Sequence, residues 1–589
     1  MKYRFTLLFA LAFTCLLSQS SAVLDINNAH ALVNVNSVFF NDSASSMANF
    51  EVPAGNDVHT IYANRFWIGG VGFDEQLKLA AGTYGPNLDG STDFYPGPLT
   101  IDGTASTNQE TMEAYARVWK VNQADVIIHK AYFDAIQNGT VEIEFPDGYE
   151  IPEYFMDWPA HGDVEQGFDI YVAPFCDYDE DGLYNPSNGD APMICGDQAI
   201  YLIMNDNGGS HLESGGQQIG VEIHVMVYGF DASESFLDNT VFAKYKIINR
   251  SNQTLQDALV AVWTDMDIGG SADDYVGTQV QLGAVYGHNS DAFDEPVFGS
   301  AGYGSSTPAQ AVQILAGPRM DADGTDNIFP GDITEFETNS YGPYGSGFGD
   351  GIPDNERLGL SNSMQYQNSS NPMNGEMTAP IHYYNYMRSI YLSGEALAVN
   401  DSTVVQYSYY GDSDPWHLNN DYELPLWTEA SDGNPGGDRR VIASSGQFTL
   451  APGDIEVLDV AYVYAEESGS GMEELEWLEH ELTLVKNFFD ENLIDCPDAG
   501  SDLPSQIAPQ SEASSFQVFP NPTRQVLNVV LPNNGATELV ITDVQGKIAK
   551  TASLSGGIGM VDVSGLCSGM YMVRIVSTEN FETKVFRIE

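Results

Sequence analysis

Short β-prone runs broken by glycine, asparagine and proline follow one another through about 450 residues of this chain, and no other feature constrains its fold as much. The series opens with Leu24-Asp-Ile-Asn-Asn28, Ser37-Val-Phe-Phe40, Asn64-Arg-Phe-Trp-Ile-Gly-Gly70 and Leu77-Lys-Leu-Ala-Ala81. Its clearest strands are predicted at Val141-Glu-Ile-Glu-Phe145 and over 199–204, 221–227 and 241–248. Only Met472 to Phe489 departs from the pattern. There Met472, Leu475, Leu478, Leu482, Val485 and Phe489 recur at three- and four-residue spacing, the period of one amphipathic helix. The expected class is all-β: a multidomain body of two or more β-sandwiches ending in that helix, with domains over 23–235 and 236–495 and a linker over 496–515.

The two ends read differently. Met1-Lys-Tyr-Arg4 is basic, 5–17 is apolar and Ser20-Ser-Ala22 offers small residues, the layout of a secretory signal (1–22) removed after about Ala22. That run is too short for a resident spanning helix, and no other stretch approaches about 18 apolar residues, so an integral membrane protein is not expected. Cys15 follows Ala12-Phe-Thr14 rather than small residues, which argues against a lipid anchor. At the other end, 526–531, 538–542 and 570–576 alternate apolar and polar residues between Asn, Gly and Pro. Val544-Gln-Gly546-Lys places a glycine where a tight hairpin needs positive φ, and Gly565-Leu-Cys-Ser-Gly569 is read the same way one strand later. Residues 516–589 are therefore expected to form a small sandwich of about seven strands.

Four stretches of that segment stand in the order of a known family: Val518-Phe-Pro-Asn-Pro522, Ile541-Thr-Asp-Val-Gln-Gly-Lys547, Val561-Asp-Val-Ser-Gly-Leu566 with Ser568-Gly-Met-Tyr571, and Lys584-Val-Phe-Arg-Ile588. It resembles the type A C-terminal sorting domain of the type IX secretion system. The resemblance implies an Ig-like sandwich, recognition by the type IX machinery at the outer membrane, and removal as the cargo is released or anchored to surface lipopolysaccharide. The body is similar to large secreted proteins of the same system in Asp25-Ile-Asn-Asn28, Phe66-Trp-Ile-Gly-Gly70, Asp157-Trp-Pro-Ala160, Gly196-Asp-Gln-Ala199 and Asp274-Tyr-Val-Gly277. That group has no assigned activity, so the likeness bears on architecture and location alone.

Charge bounds the partners. With 83 acidic against 22 basic residues the formal net charge is −61, while basic and acidic residues balance within 516–589, so the excess sits on the body. Nucleic acid and anionic membrane are excluded as partners on electrostatic grounds. Bound cations or high salt must offset the self-repulsion, and 43% hydrophobic residues belong to a folded chain rather than an acidic tail.

Cys176, Cys195, Cys496 and Cys567 remain after the signal. Cys176 and Cys195 flank an acidic loop and are expected to form a disulfide, which would stabilise the fold by roughly 3 kcal/mol. Within the loop Asp177, Asp179 and Asp181 alternate, Gly182 follows and Asn185 holds the ninth position. Calcium takes six to eight hard oxygens, and this spacing wraps alternate carboxylates around one ion, with Leu183 giving a carbonyl. Asn188 stands where an EF-hand has its bidentate glutamate, so Asp190 is expected to close the shell. The loop resembles the calcium loops of thrombospondin-like and dockerin repeats, and structural Ca2+ is the cofactor expected.

Further metal candidates are Asp265 and Asp267 with Asp273 and Asp274; Asp321, Asp323 and Asp326; and Asp350 and Asp354. No zinc-protease, nucleophile-elbow, phosphate-loop or dinucleotide motif is present. His129, His161, His211, His224 and His417 read as structural. Trp67, Trp119, Trp158, Trp263, Trp416 and Trp427 read as core rather than sugar platforms. The expected function is a calcium-stabilised, cell-surface or extracellular β-protein with a binding or adhesive role, glycans being candidate partners. The alternative is a polysaccharide hydrolase using paired carboxylates.

Overall fold

In the computed structural model the described residues are 19–494 and 496, apart from 43–44, 86–91, 298, 329–343, 401–402, 412–424 and 467–473, together with the C-terminal strands and 563–566. Residues 1–18 of the expected signal segment 1–22, the linker beyond 496, Trp416, His417 and Cys567 lie outside them, whereas Ser21 and Ala22 belong to a strand, Ser21–Leu24, paired with His30–Asn34. The chain divides into two compact units, Met1–Leu503 and Pro504–Glu589.

Two antiparallel sheets build the body. One runs Asn362–Gln367, Arg439–Leu450, Leu255–Met266, Ile61–Gly72, Val38–Phe39, with Leu77–Ala80 also on Ile61–Gly72. The other runs Trp119–Asn122, Gln198–Asn205, Val221–Gly229, Thr240–Asn249, Ile455–Ala465, Ala309–Ala316, Ala284–Asn289, Asp274–Gln279. Alternation explains how the second sheet works. Val221, Ile223, Val225 and Val227 enter the core shared with the first sheet, whereas Met226 and Tyr228 enter a second core on the opposite face. Because both faces are buried, the central strands read as near-continuous apolar runs.

The outer core is closed by the helix Glu474–Asn492, whose Leu478, Leu482, Val485 and Phe489 are buried against it. The periodic stretch in the sequence thus matches a real helix. A second helix, Gln123–Asn138, escapes the pattern because Ile127, Ile128 and Ile136 are exposed while His129 is buried, so its apolar residues do not mark its inner face. Val141–Glu144 is a short helix rather than the predicted strand: Glu144 N–H donates to the Thr140 carbonyl (3.0 Å), and Ile143 is 81% exposed, so its alternation buries nothing.

The boundary expected near residue 235 falls inside one sheet. Strands on either side pair from Val221↔Asn249 to Tyr228↔Phe242, and Thr240–Asn249 is sealed on its other edge by Ile455–Ala465 near the end of the body. The described residues of the C-terminal unit form seven strands in sheets of three and four, in line with the expected sandwich of about seven. Ala536–Asp543 pairs antiparallel with Ile548–Ser555, the residues 544–547 lying outside those described, and the strands on either side of Gly565 belong to different sheets, so that stretch does not join a hairpin.

The disulfide expected between Cys176 and Cys195 is corrected: Cys195 bonds Cys496, and Cys176 is free. The acidic loop is already tied at its base by backbone pairing of Phe175↔Pro192 and Cys176↔Ala191. Cys195 lies beyond that pairing, buried in the outer core, where the turn after the long helix brings Cys496 to it. The bond spans 301 residues, so chain entropy predicts a stabilisation of roughly 5 kcal/mol. Non-reducing peptide mapping should link Cys195 to Cys496 and leave Cys176 open to alkylation, and Cys496→Ser should lower the melting temperature. A Cys176–Cys195 peptide would reverse the assignment.

Candidate functional site

Two acidic sites emerge. In the loop 177–190, Gly182 adopts φ +78°, which lets its N–H and that of Asp181 turn back onto Asp177 (2.7 and 3.2 Å). Asp190 is buried and accepts from the N–H groups of Tyr178 and Asn185, both at 2.7 Å. Burial, with Asp179 and Asp177 nearby, pushes its carboxyl above the usual range. Oxygens of Asp177, Asp179 and Asp190 come within 4.8 Å of one another, a spacing that fits one hard cation. The other expected ligands behave differently. Asp181 accepts from Leu183 N–H (2.8 Å) and Asn185 from Ser187 N–H (3.0 Å), so both side chains cap local turns. The Leu183 side chain is exposed, and Asn188 donates to Asp179 (2.9 Å).

The second site lies at the ends of paired strands in the first sheet. Asp265 stands directly opposite Arg440 in the register, and Asp267 and Asp438 lie two residues from each on the same faces. Oxygens of Asp265, Asp267 and Asp438 fall within 4.8 Å of one another. Tyr84 O–H donates to Asp265 Oδ2 (2.5 Å), Arg440 Nη2 to the same oxygen (3.1 Å), and Arg440 Nη1 to Asp438 (2.5 Å). The Asp267 carboxylate accepts no hydrogen bond from the described residues and faces a cavity of about 860 Å³, with Tyr62, Tyr84 and His59 on its walls. Burial pushes the Asp265 carboxyl up to about 7 against the pull of Arg440; burial and Asp265 push Asp267 well above its usual range. Asp438 and Arg440 are the residues of this cluster that sequence reading misses. Only their alternation as Asp-x-Arg at the start of a strand signals them, and nothing local ties them to Asp265.

The remaining candidates separate. Asp274 is wholly buried with Oδ2 accepting from Ile268 N–H (3.1 Å), and neither oxygen of Asp273 has a partner. The two further acidic loops bind each other: Asp354 takes the N–H groups of Asp323 and Gly324 (2.8 Å each), and Asp326 those of Gly349 and Gly351 (2.8 and 2.7 Å). Asp350 accepts from Ile352 N–H and Asp321 from Thr449 N–H. Among the described residues no three of these carboxylates converge. His161, His211 and His224 have both ring nitrogens engaged, and Trp67, Trp119, Trp158, Trp263 and Trp427 are buried, so the structural readings hold for them.

Residues 517–589 match the family described as secretion system C-terminal sorting domain. The C-terminal unit is a type IX sorting domain. The protein is therefore cargo of the type IX machinery, exported to the cell surface or the medium. No helix among the described residues is long and apolar enough to cross a membrane. No protein with a curated description matches the chain. Among solved structures it is similar to the polysaccharide lyase BACCELL_00875 (9% identity, TM-score 0.17), covering 62% of this chain and 34% of that one. It is also similar to a Faecalibacterium prausnitzii beta-glucuronidase (12%, TM-score 0.12, 26% and 30% covered). A third is PorZ, a surface component of the type-IX secretion system of Porphyromonas gingivalis (11%, TM-score 0.12, 58% and 43%). The chain spans about a third of the lyase's length, and superpositions this poor carry no argument about activity.

Deleting 516–589 should abolish export in a host with the system; unchanged secretion would disprove the sorting role. At the cavity, Arg440→Met strands the buried Asp265 carboxylate, and a loss of roughly 3–5 kcal/mol in denaturant unfolding is expected. A loss under about 1 kcal/mol would mean that the carboxyl is neutral without its partner.

Proposed function

We propose that this protein is an extracellular or surface-attached binding protein of adhesive type, pinned by structural calcium and seating its ligand in the acid-floored cavity. The observation that carries the reading is the convergence of Asp177, Asp179 and Asp190 from a single loop closed at its base. A body with this charge gains most from ions that bind the folded state alone. Glycans fit the cavity as ligands, since paired tyrosines (Tyr62 and Tyr84, ring centroids 5.8 Å apart) and carboxylates suit sugar faces and hydroxyls.

One observation favours polysaccharide hydrolysis as a second reading. The cavity wall brings three carboxyls together, and burial with Asp265 pushes Asp267 well above its usual range, as a general acid requires.

The first test is the melting temperature of the full chain in calcium and in chelator. A drop of roughly 5 °C or more in chelator, made smaller in Asp179→Asn, is expected; no shift would refute calcium pinning. Release of reducing ends from polysaccharide, lost in Asp267→Asn, would establish the hydrolase instead of the binder.

A further inference from the structure

We infer that the cavity is itself a divalent-cation site, distinct from the loop 177–190, in which Asp265, Asp267 and Asp438 hold a calcium ion at the point where the ligand would enter. The inference deepens the binding reading above by naming what the cavity floor carries.

The argument begins with charge against donors. Three carboxylates approach within 4.8 Å, and the cation among them is Arg440, which bonds Asp265 and Asp438. Its Nε donates to the Tyr84 hydroxyl (2.9 Å), so none of its hydrogen bonds reaches Asp267. Asp438 receives one further donor, Asn368 Nδ2 at 3.1 Å. The Asp267 carboxylate receives none, although it is half-buried on the cavity wall. A carboxylate beside two others, without a donor, either takes up a proton or takes a cation.

An independent observation comes from behind the cluster. Asp274 is 0% exposed, one of its oxygens accepts from the N–H of Ile268, next to Asp267 (3.1 Å), and the other has no hydrogen-bond partner. A wholly buried carboxylate oxygen without a donor is among the costliest groups a fold can keep. His59 adds to this, since its Nδ1 on the same cavity wall is shielded from solvent and also has no partner.

The donor set selects the ion. The cluster offers carboxylate oxygens and no thiolate, which suits a hard divalent cation. Three protein ligands leave half or more of a calcium shell open, and the open side faces a cavity large enough for water or for paired hydroxyls of a ligand.

The test is calcium titration of the full chain by calorimetry in 150 mM salt, paired with terbium luminescence sensitised by the adjacent Tyr62 and Tyr84. The wild type should bind two ions. Asp267→Asn should lose one ion, or bind it at least tenfold more weakly, and Asp179→Asn should lose the other, each with only a partial fall in luminescence because Tyr178 and Tyr184 lie beside the loop site. The Asp267 side chain makes no hydrogen bond, so its variant should fold; Asp438→Asn serves as the second variant, with circular dichroism as the control. If Asp267→Asn and Asp438→Asn both retain the wild-type stoichiometry and affinity, the cavity site is overturned while the loop site stands. If Asp179→Asn alone keeps two ions, the loop reading falls while the cavity site survives.

Discussion

The body depends on one constraint: its larger sheet has to be covered on both faces. Tyr201 and Ile203 point into the outer core while Ile200 and Leu202 point into the inner one, so removing either cover would expose a continuous apolar surface. The six-stranded sheet covers one side and the long helix covers much of the other, and the Cys195–Cys496 bond fastens the end of that helix to the face it protects. Strands from both halves of the sequence interleave, so export must deliver a unit that folds as a whole rather than two domains in succession.

Charge is handled inside these sheets by the same cross-strand device with opposite results. In the larger sheet Lys244 stands opposite Asp459 at 3.0 Å, and Arg357 reaches the same carboxylate at 2.8 Å, so two cations meet one anion in the interior. In the smaller sheet Asp265 stands opposite Arg440, but Asp267 and Asp438 crowd the same point, so three carboxyls meet one guanidinium on the wall of a cavity. The first arrangement is self-contained. The second leaves Asp267 without a donor among the described residues.

What can be read from the sequence follows from how far each signal reaches. The central strands, the long helix, the seven-stranded sorting domain and the acidic loop each declare themselves over short, contiguous stretches. Gln123–Asn138 does not, because its exposed isoleucines erase the helical period, and Val141–Glu144 misleads because alternation indicates a strand only where one face is buried. The disulfide fails on distance. Proximity along the chain favours Cys176 as the partner of Cys195, whereas the fold brings Cys195 to Cys496, 301 residues away. Asp438 and Arg440 are hidden for the same reason, since their meaning comes from register with a strand about 175 residues earlier.

Acidic density alone does not set apart the carboxylates of this protein; the supply of donors does. Asp206 is wholly buried, yet the N–H groups of Ile219, Gly220 and Val221 all point at it, and it needs nothing further. Asp326 and Asp354 are likewise answered by backbone amides across two facing loops, which turns a dense acidic stretch into a hydrogen-bonded clasp. Asp267 and one oxygen of Asp274 receive no such donor, although they are no more acidic than their neighbours. On a chain of net charge −61, the carboxylates that the backbone leaves unanswered are the ones from which function should be sought.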